Sequence, residues 1–588
     1  MTYRFPLLLL AFALGLTTLW GVPAKRRTLS FTQPDGTVLT LRPTGDEHCH
    51  YYLTTDGVAV MRNTASRTLC YATCTDGRLT ASDCLAHEAA DRSAAEATFV
   101  RQAQRTIATS WQPPRLTLSQ DGASTDDGLG RYGLRSVGVV NSIGRHTIPV
   151  ILVNFADVSL RPTTTHDKVT RLFNEEGYAD EQGCEGSTRD YFLAQSGGMF
   201  DPTFEVVATV TVAHEASYYG SNDASGMDRR VMALAKEAVQ LAMAQGVDFS
   251  KYVEDEKVPL VSILYAGEGE HDSWKEGTAL EDLIWAHFSG SGFTVGDYRF
   301  AGYFMGNESY QQWDWNEPRM EGIGLFCHEF SHALGLPDFY GTTAQALDNA
   351  TPGWWSLMDY GEYWGGGYAP TAYTAYERSF MGWLDVQELG DEVQYNVALY
   401  PQGREHEGAT AYVVRNPAHP QEYYVLENRQ GSKWAPYALG SGMLVMHIDY
   451  KSRSWYLNTL NNNANHLGCQ VVAADNKWQS VNYSNYTDWK GDLFPGSKRI
   501  TMLTDEQDLT AARAFYGDGG FGRPIYNITE TPDHVITFSY LTRETDGIAS
   551  ATAAPTPSAA TYSIDGRRVK GDALQHGIYI SAGRRIIR

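Results

Sequence analysis

Residues 324–340, GLFCHEFSHALGLPDFY, decide the fold of the unit around them. His328 and His332 stand four apart, so a helix would place them one turn apart on the same face with Glu329 beside them. An H-E-x-x-H pair on a helix can offer two imidazoles to one metal ion and a carboxylate to act as base. Gly335 is a residue able to leave a helix in the left-handed conformation, and Asp338 follows three positions later. The spacing therefore predicts a helix across the histidines, a glycine stop and a returning carboxylate. Cys327 precedes His328 and would point about 100° away from the histidine face, so it is expected in core packing.

The flanking sequence predicts a mixed sheet with helices packed on it. Residues 146–157, HTIPVILVNFAD, and VPLVSILYAGEGE from Val258 read as buried strands, and residues 227–244 have helical periodicity. Strands alternating with helices imply that arrangement, and GWL at Gly382 closes the unit. Ahead of it, residues 28–84 alternate apolar and polar residues between Asp-Gly turn signals and read as a small β unit. Residues 85–107, rich in Ala, Glu and Arg, read as a helix. Residues 119–136 carry a Gly, Asp and Ser cluster without apolar periodicity and read as a linker, with Arg131 and Arg135 as candidate clipping sites. Beyond residue 386, short runs such as AYVVRN, EYYVLENRQ, GMLVMHIDY and HVITFSY between turn residues imply a β-sandwich or similar all-β unit. Residues 542–560 are too rich in Ala, Thr and Pro to form a core, and the last residues return to strand-like runs with a basic excess.

The 588 residues exceed what one core organises, and 43% hydrophobic with 12% aromatic residues suffices for several. A net charge of −22 excludes a nucleic-acid binder, which needs a basic face. Arg4 ahead of an apolar run over residues 5–20, ending in small residues, reads as a secretory signal peptide. No later segment is long and apolar enough to span a bilayer, so no transmembrane segment is expected in the mature chain. Seven cysteines leave at least one thiol unpaired within the chain, and Cys49, Cys70, Cys74 and Cys84 are candidates for disulfides in an oxidising compartment.

The composite HExxHxxGxxD resembles the metzincin pattern of zinc peptidases, whose third ligand follows the glycine, which implies Zn2+ on His328, His332 and Asp338. Metzincins also carry a methionine turn beneath the metal, and WWSLMDYG offers Met358. Ser356-Leu357-Met358-Asp359-Tyr360 matches the SxMxY form of that turn, making Tyr360 a candidate transition-state stabiliser. Glu377 in TAYTAYERSF is a rival third ligand, since other zinc peptidases take a glutamate from a later helix. On this reading the zinc acidifies a water, Glu329 takes its proton as general base, and the same glutamate protonates the leaving amine.

More of the chain, including GSTRDYFLAQSGGMFDPTFEV, SILYAGEGE, DLIWAH, YYVLENRQ, GSGMLVMHID and GDLFPG, resembles the immune inhibitor A family of secreted metallopeptidases over about residues 147–541. QPDGTVLTLRPTGDEHCHYYLTTDGVAV resembles the propeptide ahead of such enzymes, and YSIDGRRV, GIYI and GRRIIR resemble the C-terminal sorting domain of the type IX secretion system. The resemblance implies an α+β chain. Its parts are a signal peptide (1–24), a small α+β propeptide (25–118), a linker with an activation site (119–136), a metzincin-like zinc metallopeptidase domain (137–385), an all-β sandwich-like domain (386–541), a linker (542–561) and a sorting domain (562–588). It also implies a zymogen exported through the periplasm and outer membrane by the type IX machinery, then secreted or held at the cell surface, acting on protein or peptide substrates. The family's Asp- and Gly-rich, calcium-type loop is replaced by YVEDEKVP at 252–259, which lacks the glycine turn, so calcium stays open with no site located. Cys49, between His48 and His50, is a candidate for blocking the metal in the precursor; a prodomain disulfide or plain packing is the competing reading. Two other functions compete: an adhesin that keeps a peptidase fold, and an amidase on cell-wall peptides. The intact Glu329 favours chemistry, because a binder has no use for a general base.

Overall fold

The computed structural model describes residues 19–587 except 22, 26, 47–48, 64, 112–125, 131–136, 224–225, 274–279, 312–314, 344–345, 347–348, 435–438, 478–488, 508–513, 518–519, 545–560, 564–567, 570–577 and 582–583. The apolar run up to residue 18 and both candidate clipping sites, Arg131 and Arg135, lie outside the described residues. Among the described residues no helix is long and apolar enough to cross a membrane.

The architecture is mixed α and β. Its central sheet has six strands in the order Leu19–Gly21, His287–Ser289, Tyr303–Asn307, Val261–Tyr265, Gly144–Asn154 and Phe200–Thr211. The last four are mutually parallel and the first two join antiparallel. Parallel strands are covered on both faces, and here the cover is visible in the alternation of one strand. Ile148, Val150 and Leu152 enter the core that holds Phe326 and Phe330 of the helix Ile323–Leu334, the helix of the histidine motif. Ile151 and Val153 face the opposite core with Leu234, Ala238 and Val239 of the helix Val231–Ala244. The motif helix thus lies flat on one face of the sheet, and all its residues are buried.

In front, Leu29–Thr32, Val38–Asp46, Cys49–Thr54, Ala59–Arg62, Leu69–Thr75 and Arg78–Leu85 form a six-stranded antiparallel meander. The helix that follows is Ala94–Ser110, not 85–107. Leu85 still pairs in the meander, and the helix begins only where Ser93 and Glu96 make a capping box. The expected linker is pinned in its middle: Tyr450 donates to Asp126 at 2.8 Å, Arg415 pairs with Asp127 at 2.7 Å, Gly130 N–H donates to the Ser379 carbonyl at 2.7 Å, and Leu129 is buried.

Behind the central sheet stand a five-stranded sheet (Gln387–Glu388, Ala411–Arg415, Glu422–Arg429, Gly442–Asp449, Cys469–Val471) and a three-stranded one (Gln394–Leu399, Ile536–Tyr540, Ile525–Glu530). The larger is buried on both faces. Val414, Leu426 and Val445 pack on the smaller sheet through Val397 and Phe538, whereas Val413, Val425 and Met446 join the core beneath the motif helix. The β-rich region is therefore continuous with the core of the central unit. A short helix, Ser452–Tyr456, interrupts its strands, and a four-stranded sheet, Thr561–Ser563, Arg568–Val569, Ile578–Ser581 and Arg584–Ile587, ends the chain.

Candidate metal centre

The motif helix ends where the glycine predicts. Gly335 has φ +111°, and its N–H donates to the carbonyls of Ser331 and His332. A Cβ there would lie 2.4 Å from Val137 Cγ2, so glycine is required by both conformation and space. The chain then turns back and brings Asp338 to the two histidines.

His328 Nε2 lies 3.1 Å and His332 Nε2 3.2 Å from Asp338 Oδ1. The three ligand atoms lie within 4.8 Å of one another, and all three side chains are buried. Each imidazole is fixed through its other nitrogen: His328 Nδ1 faces the Leu357 carbonyl at 2.8 Å and His332 Nδ1 the Leu336 carbonyl at 2.7 Å. A carbonyl can only accept, so both Nδ1 atoms carry the proton and both Nε2 atoms present lone pairs. Two lone pairs and a carboxylate oxygen then converge without a proton between them, a donor set that suits a divalent cation held by nitrogen and oxygen. Burial lowers the His328 pKa, favouring the neutral ring that ligation needs.

Glu329 is buried on the same helix. Cys327 sits in the apolar core, where burial pushes its thiol pKa well up. Met358 is fully buried in a turn whose backbone serves the site, since Leu357 supplies the carbonyl for His328 and the Met358 carbonyl accepts the Phe339 N–H at 2.7 Å. Tyr360 follows in that turn, with its ring 6.4 Å from Trp354 and 6.2 Å from Tyr363. Glu377 is held elsewhere: it caps its own helix, Ala375–Phe380, through Thr374, and accepts from Ser356 Oγ at 2.7 Å and the Met358 N–H at 3.3 Å. Burial moves its pKa up to about 7. It braces the methionine turn while Asp338 meets the histidines.

Asn458, from the β-rich region, has no counterpart in the sequence reading. Its Oδ1 accepts the Asp338 N–H at 2.8 Å and its Nδ2 donates to Asp338 Oδ2. Asn461 donates to the Phe339 carbonyl at 2.6 Å and Asn462 accepts the Thr342 N–H at 2.7 Å. The helix Ser452–Tyr456 has ended before LNTLNNN, and Asn458 has φ +55°, so no helical spacing announces the three asparagines. His50, next to Cys49, lies away from the triad, 3.2 Å from Glu270 and stacked on Trp285 at 4.5 Å. The Cys49 side chain is outside the described residues.

With this geometry in view, the chain's likeness to known proteins falls on the same region. Residues 150–390 match the immune inhibitor A peptidase M6 catalytic domain. Immune inhibitor A of Bacillus thuringiensis subsp. alesti is 27% identical in an alignment of 259 residues that covers 38% of this chain and 36% of that protein. Pre-pro-metalloprotease PrtV of Vibrio cholerae serotype O1 (strain M66-2) is 28% identical in an alignment of 254 residues that covers 37% of this chain and 27% of PrtV. The matched part of the chain thus spans roughly a third of these curated relatives. The peptidase M6 match contains His328, Glu329, His332, Asp338, Met358 and Glu377.

Proposed function

We propose that this protein is a zinc-dependent endopeptidase that hydrolyses peptide bonds of extracellular proteins. The observation that carries the reading is the convergence of His328 Nε2, His332 Nε2 and Asp338 Oδ1 inside the region that matches a peptidase M6 catalytic domain. His328, His332 and Asp338 would hold Zn2+, which when bound supplies Lewis acidity to a peptide carbonyl and to a water. The Leu357 and Leu336 carbonyls keep the two imidazoles in the tautomer that leaves Nε2 available, and Asn458 fixes the carboxylate. Glu329 acts as the general base: a carboxylate oxygen takes a proton from the attacking water and passes it to the departing amine nitrogen. Tyr360 donates its phenolic hydrogen to the oxyanion of the tetrahedral intermediate.

The precursor is made as a zymogen with a signal peptide and a front unit removed on activation, and residues 562–588 act as a type IX sorting domain that takes it across the outer membrane. The test of the catalytic reading is direct. The purified protein, activated and zinc-loaded, is assayed on casein and gelatin with and without a chelator, and the assay is repeated with Glu329→Ala. Cleavage lost with chelator and with Glu329→Ala, while zinc content stays at wild-type level in that variant, is expected. Equal cleavage by Glu329→Ala sinks the mechanism and favours another hydrolytic centre, whereas no cleavage by the wild-type chain favours an adhesin.

A further inference from the structure

Lys25, the first residue past the expected signal peptide, donates its N–H to the His271 carbonyl at 2.9 Å. A peptide is commonly held by main-chain bonds while side-chain pockets give the selectivity. The Lys25 side chain enters such a pocket. Its ammonium lies 4.2 Å from the centre of the Tyr310 ring and 5.1 Å from that of Tyr363, within the range of cation–π attraction. Burial lowers its pKa, and the charges of Asp272, Glu321 and Glu362 oppose that while Arg27 adds to it.

These three acids come from the elements that frame the triad. Asp272 follows the strand Val261–Tyr265, Glu321 precedes the motif helix, and Glu362 lies just past the methionine turn. Glu362 Oε2 is 3.7 Å from His328 Nδ1, so the pocket adjoins the metal centre. Glu362 is fully buried. Asp272 is 2% exposed. Burial pushes the Asp272 and Glu321 carboxyls above their ordinary range and the Lys25 charge opposes it, so a pocket of this composition favours a cation. Arg27 answers a different need, since it donates to the His271 and Glu270 carbonyls.

We infer that the pocket that Tyr310 and Tyr363 form around the Lys25 ammonium, close to Asp272, Glu321 and Glu362, is the site that selects a lysine or arginine side chain of the substrate, and that Lys25 occupies it in the zymogen left once the signal peptide is removed. The inference rests on the peptidase reading and gives it a substrate class. Peptides with lysine or isosteric norleucine at each position around the scissile bond are offered to the active, zinc-loaded enzyme. At one position kcat/KM favours lysine by at least about tenfold, and Asp272→Asn or Glu321→Gln shrinks that ratio by at least about threefold. Circular dichroism and zinc content of each variant establish that it is folded. A ratio near one at every position, or one that folded variants leave unchanged, overturns the pocket while leaving the peptidase standing. Absence of any cleavage, casein included, overturns the peptidase reading instead. The pocket is then judged by binding: a labelled peptide GVPAKRRT, residues 21–28, is titrated into full chain carrying Glu329→Ala and Lys25→Ala. Weaker binding of its norleucine analogue supports the pocket, and equal binding overturns it.

Discussion

Replacing Asn458 by alanine is expected to loosen the metal without touching any proposed ligand. Asn458 holds Asp338 twice, through the Asp338 N–H at 2.8 Å and through Oδ2, and both residues are buried. A hydrogen bond to a charged group contributes about 1.5–3 kcal/mol and a neutral one about 1 kcal/mol. Alanine removes both and strands a backbone N–H, a total of about 3 kcal/mol. Outer partners of metal ligands typically change affinity about 10–100-fold, which at about 1.4 kcal/mol per decade takes up about 1.4–2.8 kcal/mol of that sum. The zinc Kd of Asn458→Ala, measured by competition with a chromophoric chelator, should therefore rise about 10–100-fold. Casein cleavage should fall at limiting zinc and recover largely at saturating zinc. Asn462→Ala loses contacts to Thr342 only and serves as the control, with a Kd change below about threefold. If Asn458→Ala is destabilised yet binds zinc with wild-type affinity, Asp338 is not the third ligand and the reasoning fails.

Three further outcomes follow from the same geometry. Gly335→Ala must take up a left-handed conformation against Val137, and a loss of about 1–3 kcal/mol should appear in urea unfolding; an unchanged midpoint would show that the helix end can relax. Glu377 loses its proton near 7 in the folded chain against an ordinary 4.5, with burial the largest cause. Its stabilising contribution is thus complete below that ordinary value and declines as pH rises to about 7, by on the order of 3 kcal/mol. Glu377→Gln should flatten this window while keeping its zinc, and loss of zinc would revive Glu377 as a ligand. Tyr360→Phe should lower kcat by about 10–100-fold with little change in KM, and wild-type kcat would return Tyr360 to plain packing.

The motif helix and its stop were legible because their causes are local. His328, His332 and the glycine end lie within a few residues of one another, and helical periodicity with a left-handed Gly335 suffices to place them. That Asp338 rather than Glu377 lies beside the two histidines was legible only through resemblance, since both are buried acids in the same stretch. What separates them is that Thr374, Ser356 and Met358 engage Glu377. The helix start at Ala94 was missed because Ala- and Glu-rich composition continues across the turn before it, and only the Ser93–Glu96 capping box marks the boundary. Asn458 was not legible at all. It meets Asp338 across 120 positions of chain, and no periodic pattern in either segment announces the other. The Lys25 pocket was hidden for the same reason: its acids sit in three separate segments, and only the fold sums their charge.

The double-sided five-stranded sheet bears on how such chains evolve. The family match stops at residue 390, yet Val413, Val425 and Met446 share a core with the motif helix, and Asn458 reaches the proposed third ligand. Homology and cooperativity therefore place their borders differently. An ancestor could exchange the C-terminal region for another module only by carrying along this apolar face and the asparagine that steadies Asp338. Recombination at residue 390 would leave the motif helix without part of its core and Asp338 without its anchor.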